Sequence, residues 1–419
     1  MHVVERFAAW AAGWRSQPIP QEVVHQARRA VIDWHAALLP GSIVAPATLL
    51  KKALGEGADA RTLALINGAA AHTVEVDDIY RDGIYHPGAP TIAAAHALGF
   101  ERRNFLRAVI VGYEISTRIG AAMGRAHYRY WHNTGTIGCF GASAAAAELV
   151  QLDSARFAHA LATVTTFAAG LQQAFRMDSM SKPLHAGRAA EAGVTAALAA
   201  REGVTGSLDV IEGDAGFGRA MGDNPDWEKA LAGLGRDFHI TRMTFKNHAC
   251  CGHTFAAIDG ALALKGKLNL RTQDIERVDI GTYRAGVEVA HYEQPRTPAE
   301  ARFSMKYVVA TALTHGSVRL AAFEPPRLND EATRALMEKV SVGLDAELDA
   351  TFPRQRAARV AITARGRREE LLQPTRKGDP DLPLSDAELE EKFMELAAPV
   401  LGKQGARSLL ARLWKLECD

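Results

Sequence analysis

Residues Asn67–Gly99 read NGAAAHTVEVDDIYRDGIYHPGAPTIAAAHALG. Two alanine-rich helical runs flank a short joint that holds His72, Glu75, Asp77, Asp78, Asp82 and His86. Charge set among apolar residues is costly unless it is paired or used. Acids and imidazoles together, ahead of a His-Pro-Gly turn, have the composition of a proton-transfer site. The structural alternative is a solvated acidic loop that caps a helix, and the segment alone is compatible with both.

Outward from this joint, helical periodicity dominates up to about Asp237. In Gln21–Leu39 the apolar positions Val23, Ala27, Ala30, Val31, Trp34 and Leu38 recur at helical spacing behind Pro20. The same pattern predicts helices over Thr91–Leu98, Arg103–Met123, Gly141–Leu152, Ser154–Ala174, Arg188–Arg201 and Thr254–Leu264. Their abundant Ala, Gly and Ser let helix backbones approach closely, which predicts a tightly packed helical core. Near Arg242 the character changes. Arg277–Val289 and Ala358–Ala364 alternate and are β-branched, so they read as strands, with helices expected at Ala301–His315 and Asp330–Val342. A Pro-rich turn, Lys377–Leu384, leads into helices at Ser385–Leu396 and Ala406–Leu416. The expected fold is mainly α: a helical domain from both chain ends (residues 1–241 and 383–419) with an inserted α+β domain (242–382).

Composition narrows the function classes. The 419 residues carry 49 basic and 48 acidic side chains, a formal charge of +1 with no block of one sign, so nucleic acid and anionic membrane are not expected partners. No uninterrupted apolar run reaches membrane-spanning length, and the N-terminus is too polar for a signal peptide. Cys139, Cys250, Cys251 and Cys418 are too few for a disulfide scaffold. A cytoplasmic globular protein is expected.

Four further motifs carry chemistry. Trp131–Gly141 (WHNTGTIGCFG) puts His132 just before a glycine-spaced helix start, whose free N–H groups suit a carboxylate. The spacing is not a dinucleotide fingerprint. Ser179–Gly187 (SMSKPLHAG) contains Ser-x-x-Lys, but the companion elements of a penicillin-recognising serine enzyme are missing and Pro183 is expected to break the local helix. Lys182 and His185 read better as a cationic pair for an acid, against simple surface exposure. Phe245–His253 (FKNHACCGH) invites a zinc reading, yet four ligands from so short a segment would strain a tetrahedral site, so no metal is expected. Lys246 and His253, at the expected domain junction, read as substrate contacts. In Ala301–Tyr307 (ARFSMKY), Tyr307 either donates a hydrogen bond into a cleft or packs.

Taken in order, NGAAAHTVEVDD with HPG, WHNTGTIGCFGASAAAAEL, SMSKPLHAGRAAEAGV with GVTG, FKNHACCGHTFAAIDG, ARFSMKYVVATAL and LSDAELEEKF resemble the MmgE/PrpD family. That family takes in 2-methylcitrate dehydratase, cis-aconitate decarboxylase and iminodisuccinate epimerase. The resemblance runs through nearly the whole chain. It implies a helical domain from both chain ends, a smaller α+β lid domain, a homodimer, and cofactor-free chemistry beside the carboxylates of a small polycarboxylic acid. It also implies that His86, His132, Lys182, Lys246 and Tyr307 line the active site. Glu75 stands where the first aspartate of a DFDD segment is usual, Ile79 where Thr or Ser is typical, and the loop from Asp78 to His86 is one residue longer. Asn247-His248-Ala249 replaces a tyrosine-proline stretch. These departures leave the substrate open.

The chemistry of the residues agrees. Removing a proton beside a carboxylate builds an enolate-like dianion that needs cationic stabilisation in a dry site. Imidazoles, with an ordinary pKa of ~6.5, suit proton exchange at neutral pH. The expected catalytic groups are His86, His132, Lys182 and Tyr307, and the expected substrate contacts are Glu75, Asp78, His185, Lys246, Cys251 and His253. Lys182 and Lys246 are expected to hold substrate carboxylates from the two domains. The leading expectation is a lyase of the 2-methylcitrate dehydratase type, a hydro-lyase on a hydroxy-polycarboxylate. An epimerase or decarboxylase sharing the site is the runner-up, and a non-catalytic carboxylate-binding homologue is the alternative of another class.

Overall fold

The computed structural model describes residues 1–57, 59–175, 179–352 and 354–417, so Cys418 lies outside the described residues. The protein is mainly α-helical with one small sheet, and its chain forms two compact units: Met1–Phe245 with Ser385–Asp419, and Lys246–Leu384. No helix among the described residues is long and apolar enough to cross a membrane.

The first unit is built on ten helices of the N-terminal half: α1 (Val3–Trp14), α2 (Gln21–Gly41), α3 (Ala47–Leu54), α4 (Ala60–Thr73), α5 (Gly88–Gly99), α6 (Phe105–Tyr128), α7 (Asn133–Thr136), α8 (Gly138–Leu149), α9 (Ser154–Thr165) and α10 (Ser181–Arg201). Helix α10 is the hub and lies against α4, α5, α8 and α9. Small residues make that possible. A Cβ on Gly68 would meet the Gly187 backbone at 2.9 Å, and one on Gly193 would meet Ala142 at 2.5 Å. Side chains there would force α4 and α8 away from α10 and open the core.

Three sequence expectations are corrected here. Helix α10 starts at Ser181, not Arg188, and carries Pro183 in its first turn, where a backbone N–H has no helical acceptor to lose. Helix α9 ends at Thr165 rather than running to Ala174. The chain then turns through Gly170, whose φ of 132° suits glycine and whose carbonyl accepts the His132 N–H at 2.9 Å. The C-terminal segment forms one long helical stretch, Asp386–Trp414, with non-helical backbone at Gly402. It packs on α2 and returns to the loop after α4, where Lys392 donates to Asp33 Oδ1 at 2.5 Å and to the Val76 carbonyl at 2.7 Å.

In the second unit four strands, β1 (Ile275–Thr282), β2 (Val340–Leu344), β3 (Ala358–Ala364) and β4 (Arg367–Gln373), form a sheet in the order β2-β1-β3-β4. The β1–β2 pair is parallel and the other two pairs are antiparallel. The helix Phe255–Lys267 covers β3 and β4, with Gly260 against Val360. The strand expected over Arg277–Val289 stops at Thr282 and continues as a helix, Arg284–Val289. The helix expected over Asp330–Val342 ends at Met337, and Val340–Leu344 pairs with β1 instead. At Val340–Leu344, pairing with the neighbouring strand outweighs local propensity.

Candidate active site

The joint between α4 and α5 is where the first unit gathers its imidazoles. His72 lies in the last turn of α4, Asp77 five residues on, and His86 immediately ahead of the Pro87 that caps α5. His72 Nδ1 is 2.7 Å from Asp77 Oδ2. His86 Nδ1 is 3.1 Å from the same oxygen, close enough for a charge contact but off the line of an aligned hydrogen bond. His132, at the N-cap of α7, stacks on His72 with ring centroids 5.4 Å apart, and the His72 and His86 centroids are 4.7 Å apart. His132 Nδ1 in turn meets His185 Nδ1, from the first turns of α10, at 3.0 Å. Four imidazoles and one carboxylate therefore form a continuous cluster.

Backbone ties hold it in place. The His86 N–H donates to Thr134 Oγ1 at 3.2 Å, joining the α5 start to α7. Asn133 Nδ2 donates to the Gly83 carbonyl at 2.7 Å. Gly135 approaches the Ala169 carbonyl so closely that a Cβ would lie 2.5 Å from it, which explains the glycine after Asn133-Thr134. Lys182, one residue into α10, forms an ion pair with Glu75. Glu75 has a left-handed backbone, φ 60°, a strained conformation for a non-glycine residue and one met at functional loops.

Electrostatics separate the members. His72 is fully buried, and desolvation lowers its pKa to about 3 despite the facing Asp77. Burial together with the neighbouring imidazoles holds His132 well below the usual range, and burial followed by Lys182 lowers His185. Each shift favours the neutral ring, in His185 against the expectation of a cation. Burial works against the Asp77 carboxylate, but His86 and His72 facing it hold its pKa well below the ordinary value. Asp78 goes the other way: burial and the nearby Asp33 raise it to about 7. Its oxygens are taken by the Gly88 N–H at 3.0 Å and the Tyr113 hydroxyl at 2.6 Å. Asp78 thus anchors the turn that carries His86.

The remaining expected residues belong to the second unit. Lys246 is 4% exposed. Cys251 is half-buried, its backbone N–H donates to the Arg302 carbonyl at 3.0 Å, and burial raises its thiol pKa. His253 Nδ1 meets the Tyr283 hydroxyl at 2.8 Å, and burial lowers its pKa to about 3. Tyr307 is fully buried, with its hydroxyl donated to the Ala322 carbonyl and its ring against Phe323 and Arg334. To serve a ligand, that hydroxyl would first have to release the carbonyl.

A metal reading has one basis. Among the described residues, the one group of three or more His, Cys, Asp or Glu whose ligand atoms converge within 4.8 Å is His72, Asp77 and His86. Of the residues weighed from sequence as zinc ligands, His248 meets Asp259, Cys250 meets Thr254 and His253 meets Tyr283. Around a tetrahedral zinc, ligand atoms at ~2.0–2.2 Å from the metal stand roughly 3.3 Å apart. The 2.7 Å between His72 and Asp77 is instead a hydrogen-bond length. His72 and Asp77 belong to the joint whose composition suits proton transfer, but they stand outside the expected catalytic and contact residues.

Comparison with known proteins extends the picture. The family model described as MmgE/PrpD N-terminal domain matches residues 5–230, and that described as MmgE/PrpD C-terminal domain matches residues 248–416. The chain is similar to the cis-aconitate decarboxylase-like protein oryM of Aspergillus oryzae, 26% identical over 99% of this chain and 95% of that protein. It is also similar to the cis-aconitate decarboxylase of Homo sapiens, 27% identical over 84% of this chain and 76% of the human protein. The cis-aconitate decarboxylase of Aspergillus terreus is 25% identical over 77% of this chain and 74% of its own.

Proposed function

Given that the chain belongs to the MmgE/PrpD family, we propose that it is a lyase acting on a small di- or tricarboxylic acid, through a carbanion formed beside a held carboxylate. The observation that carries this reading is the cluster of His72, His86, His132 and His185 around Asp77, with Lys182 opening α10 next to it in sequence. Such a carbanion is an enolate of the carboxylate, and the cation nearby lowers its energy most when the charge is largest. Lys182 is the group for this role. Substrate would replace Glu75 as its partner, one anion exchanged for another, so Lys182 keeps an anionic partner throughout.

The neutral histidines move the proton. His132 and His185 share one hydrogen between their two Nδ1 atoms, so one ring keeps its proton at Nε2 and is the acid. His86, with a side chain 14% exposed beside the fully buried His72, is the cluster member on the Asp77 carboxylate that can meet a substrate. In a decarboxylation the C–C bond to the leaving carboxylate breaks, its electron pair enters the adjoining enolate, and an imidazole N–H then protonates that carbon. In a dehydration a base first takes the carbon-bound proton and hydroxide leaves with a proton from the acid. The names of the relatives favour decarboxylation over the hydro-lyase expected from sequence.

Incubation with citrate-like, aconitate-like, malate-like and amino-dicarboxylic acids in heavy water, read by mass spectrometry, tests this. Loss of carbon dioxide with one deuterium gained is the expected outcome for one member of the panel. Loss of water points to the dehydratase, and deuterium gained without other change to an epimerase. A tightly bound acid that neither exchanges nor changes mass would overturn the enzyme reading in favour of a binding protein.

A further inference from the structure

We propose that Asp77 is the positioning residue of this site: a single carboxylate oxygen that holds both His72 and His86 in the Nδ1–H form and so leaves His86 Nε2 as the basic nitrogen. A carboxylate only accepts hydrogen bonds. His72 Nδ1 at 2.7 Å and His86 Nδ1 at 3.1 Å both face Asp77 Oδ2. A bare lone pair on His72 Nδ1 would point at an oxygen lone pair, so that nitrogen carries the hydrogen; at His86 Nδ1, 3.1 Å away and off line, the negative charge of the carboxylate favours an N–H over a lone pair. Each neutral ring then has its lone pair at Nε2.

The two rings are not equivalent. His72 is 0% exposed, and its Nε2 has no hydrogen-bond partner among the described residues. It is the fixed member, wedged between His86 and His132 by ring contacts at 4.7 and 5.4 Å. His86 is the outer member, and its contact with Asp77 is the longer and less aligned of the two. When His86 takes a proton at Nε2 its Nδ1–H bond becomes charge-assisted, which shortens and strengthens such bonds. Oδ2 thus has slack to take up toward His86 while His72 keeps the carboxylate in place. The other oxygen, Oδ1, has no partner among the described residues. A purely structural carboxylate buried to 1% exposure would be expected to fill both oxygens. Lys392, which holds Asp33 and the Val76 carbonyl next to Asp77 in the chain, keeps this loop from moving away.

This rests on the proposed proton transfer by His86, but its test does not need a substrate. In protein labelled with ¹⁵N-histidine, with His72 and His86 assigned through His72→Gln and His86→Gln, both residues should show a protonated Nδ1 and an unprotonated Nε2 at pH 7. An Nε2–H form of His86, or a metal-shifted Nδ1 signal in the purified protein, would overturn the proposal. Tautomers as stated in a protein that turns over no acid would count against the lyase reading and leave this one standing.

With a substrate in hand, Asp77→Asn should lower kcat by roughly 10²–10⁴, the scale of general acid–base catalysis, with KM changed by no more than about threefold. Formate should restore part of the activity of Asp77→Ala by supplying the missing carboxylate. A merely structural role for Asp77 predicts less folded protein, unchanged kcat per folded molecule and no formate rescue. Where either variant fails to fold, the tautomer spectrum of the unaltered protein decides.

Discussion

Each unit of this protein sets a buried histidine against an aspartate, and the two pairs are completed differently. In the second unit His248 Nε2 lies 2.9 Å from Asp259 Oδ1, while Asp259 Oδ2 accepts the Lys377 backbone N–H at 2.7 Å. Both oxygens are spent, one on a ring and one on the main chain, so the carboxylate staples the Lys246–His253 segment to the loop after β4. In the first unit Asp77 spends one oxygen on two rings and leaves the other without a partner among the described residues. A carboxylate whose second acceptor is a backbone amide is committed to structure. One facing only imidazoles can follow a proton as it arrives.

The sharpest way to break this contrast is to remove the outer imidazole. His86→Gln should cut kcat by roughly 10²–10⁴ with the protein still folded. His132→Asn should cut kcat on the same scale while also lowering the thermal transition, because the His132 ring is buried and His185 loses its contact with it. Near-normal turnover in both would remove the acid–base assignment from this cluster.

Lys182→Met comes next. Losing a charge-assisted bond to a carboxylate is worth about 1.5–3 kcal/mol, or roughly 10- to 100-fold in kcat/KM. Because the enolate carries more charge than the ground state, kcat should fall as well as KM rise. A change in KM alone would show that Lys182 binds substrate without favouring the transition state.

Asp259→Ala should behave in the opposite manner to a change at the imidazole cluster. It strands the His248 ring and the Lys377 N–H, each costing about 1–3 kcal/mol when a buried donor loses its partner. Denaturant unfolding should register that loss, while kcat per folded molecule stays close to normal. A loss of kcat in fully folded protein would mean that the second pair also takes part in the chemistry.

The smallest expected effect is shared by both units. Burial holds His35, His72 and His253 at about 3, and His239 at about 4. Unfolded imidazoles take up protons below ~6.5, so the unfolded chain binds more protons there and stability falls as pH falls, by about 1.4 kcal/mol per unit for each ring not offset. Asp78, raised to about 7, opposes this, because its folded carboxyl keeps a proton that the unfolded one has lost. Asp33, Glu114 and Glu148 are also raised and add to the opposition. His96, His127, His132, His185 and His315 are lowered as well, so the imidazoles outnumber these carboxyls and Tm measured from pH 6.5 to 5 should drop by a few degrees. A flat or rising Tm would show that the buried carboxyls prevail.

What the chain declares on its own is local and periodic. Alanine- and glycine-rich repeats at helical spacing announced close-packed helices, the β-branched run at Ala358–Ala364 coincides with β3, and His86, His132, Lys182 and His185 stood out because polar groups are rare in such surroundings. The tertiary structure decided what no window of sequence contains. The parallel partner on β1 turned Val340–Leu344 into a strand, since a ladder outweighs the propensity of a five-residue segment. Helix α10, fixed by Gly68 and Gly187, brought His185 to His132 across 53 positions of chain. The fold also separated two neighbouring aspartates, giving Asp78 to Gly88 and Tyr113 and Asp77 to two histidines. In sequence they are equivalent acids. Only burial and the direction of each side chain, which depend on the whole core, make one an anchor with a raised pKa and the other an ionised hold on the imidazoles.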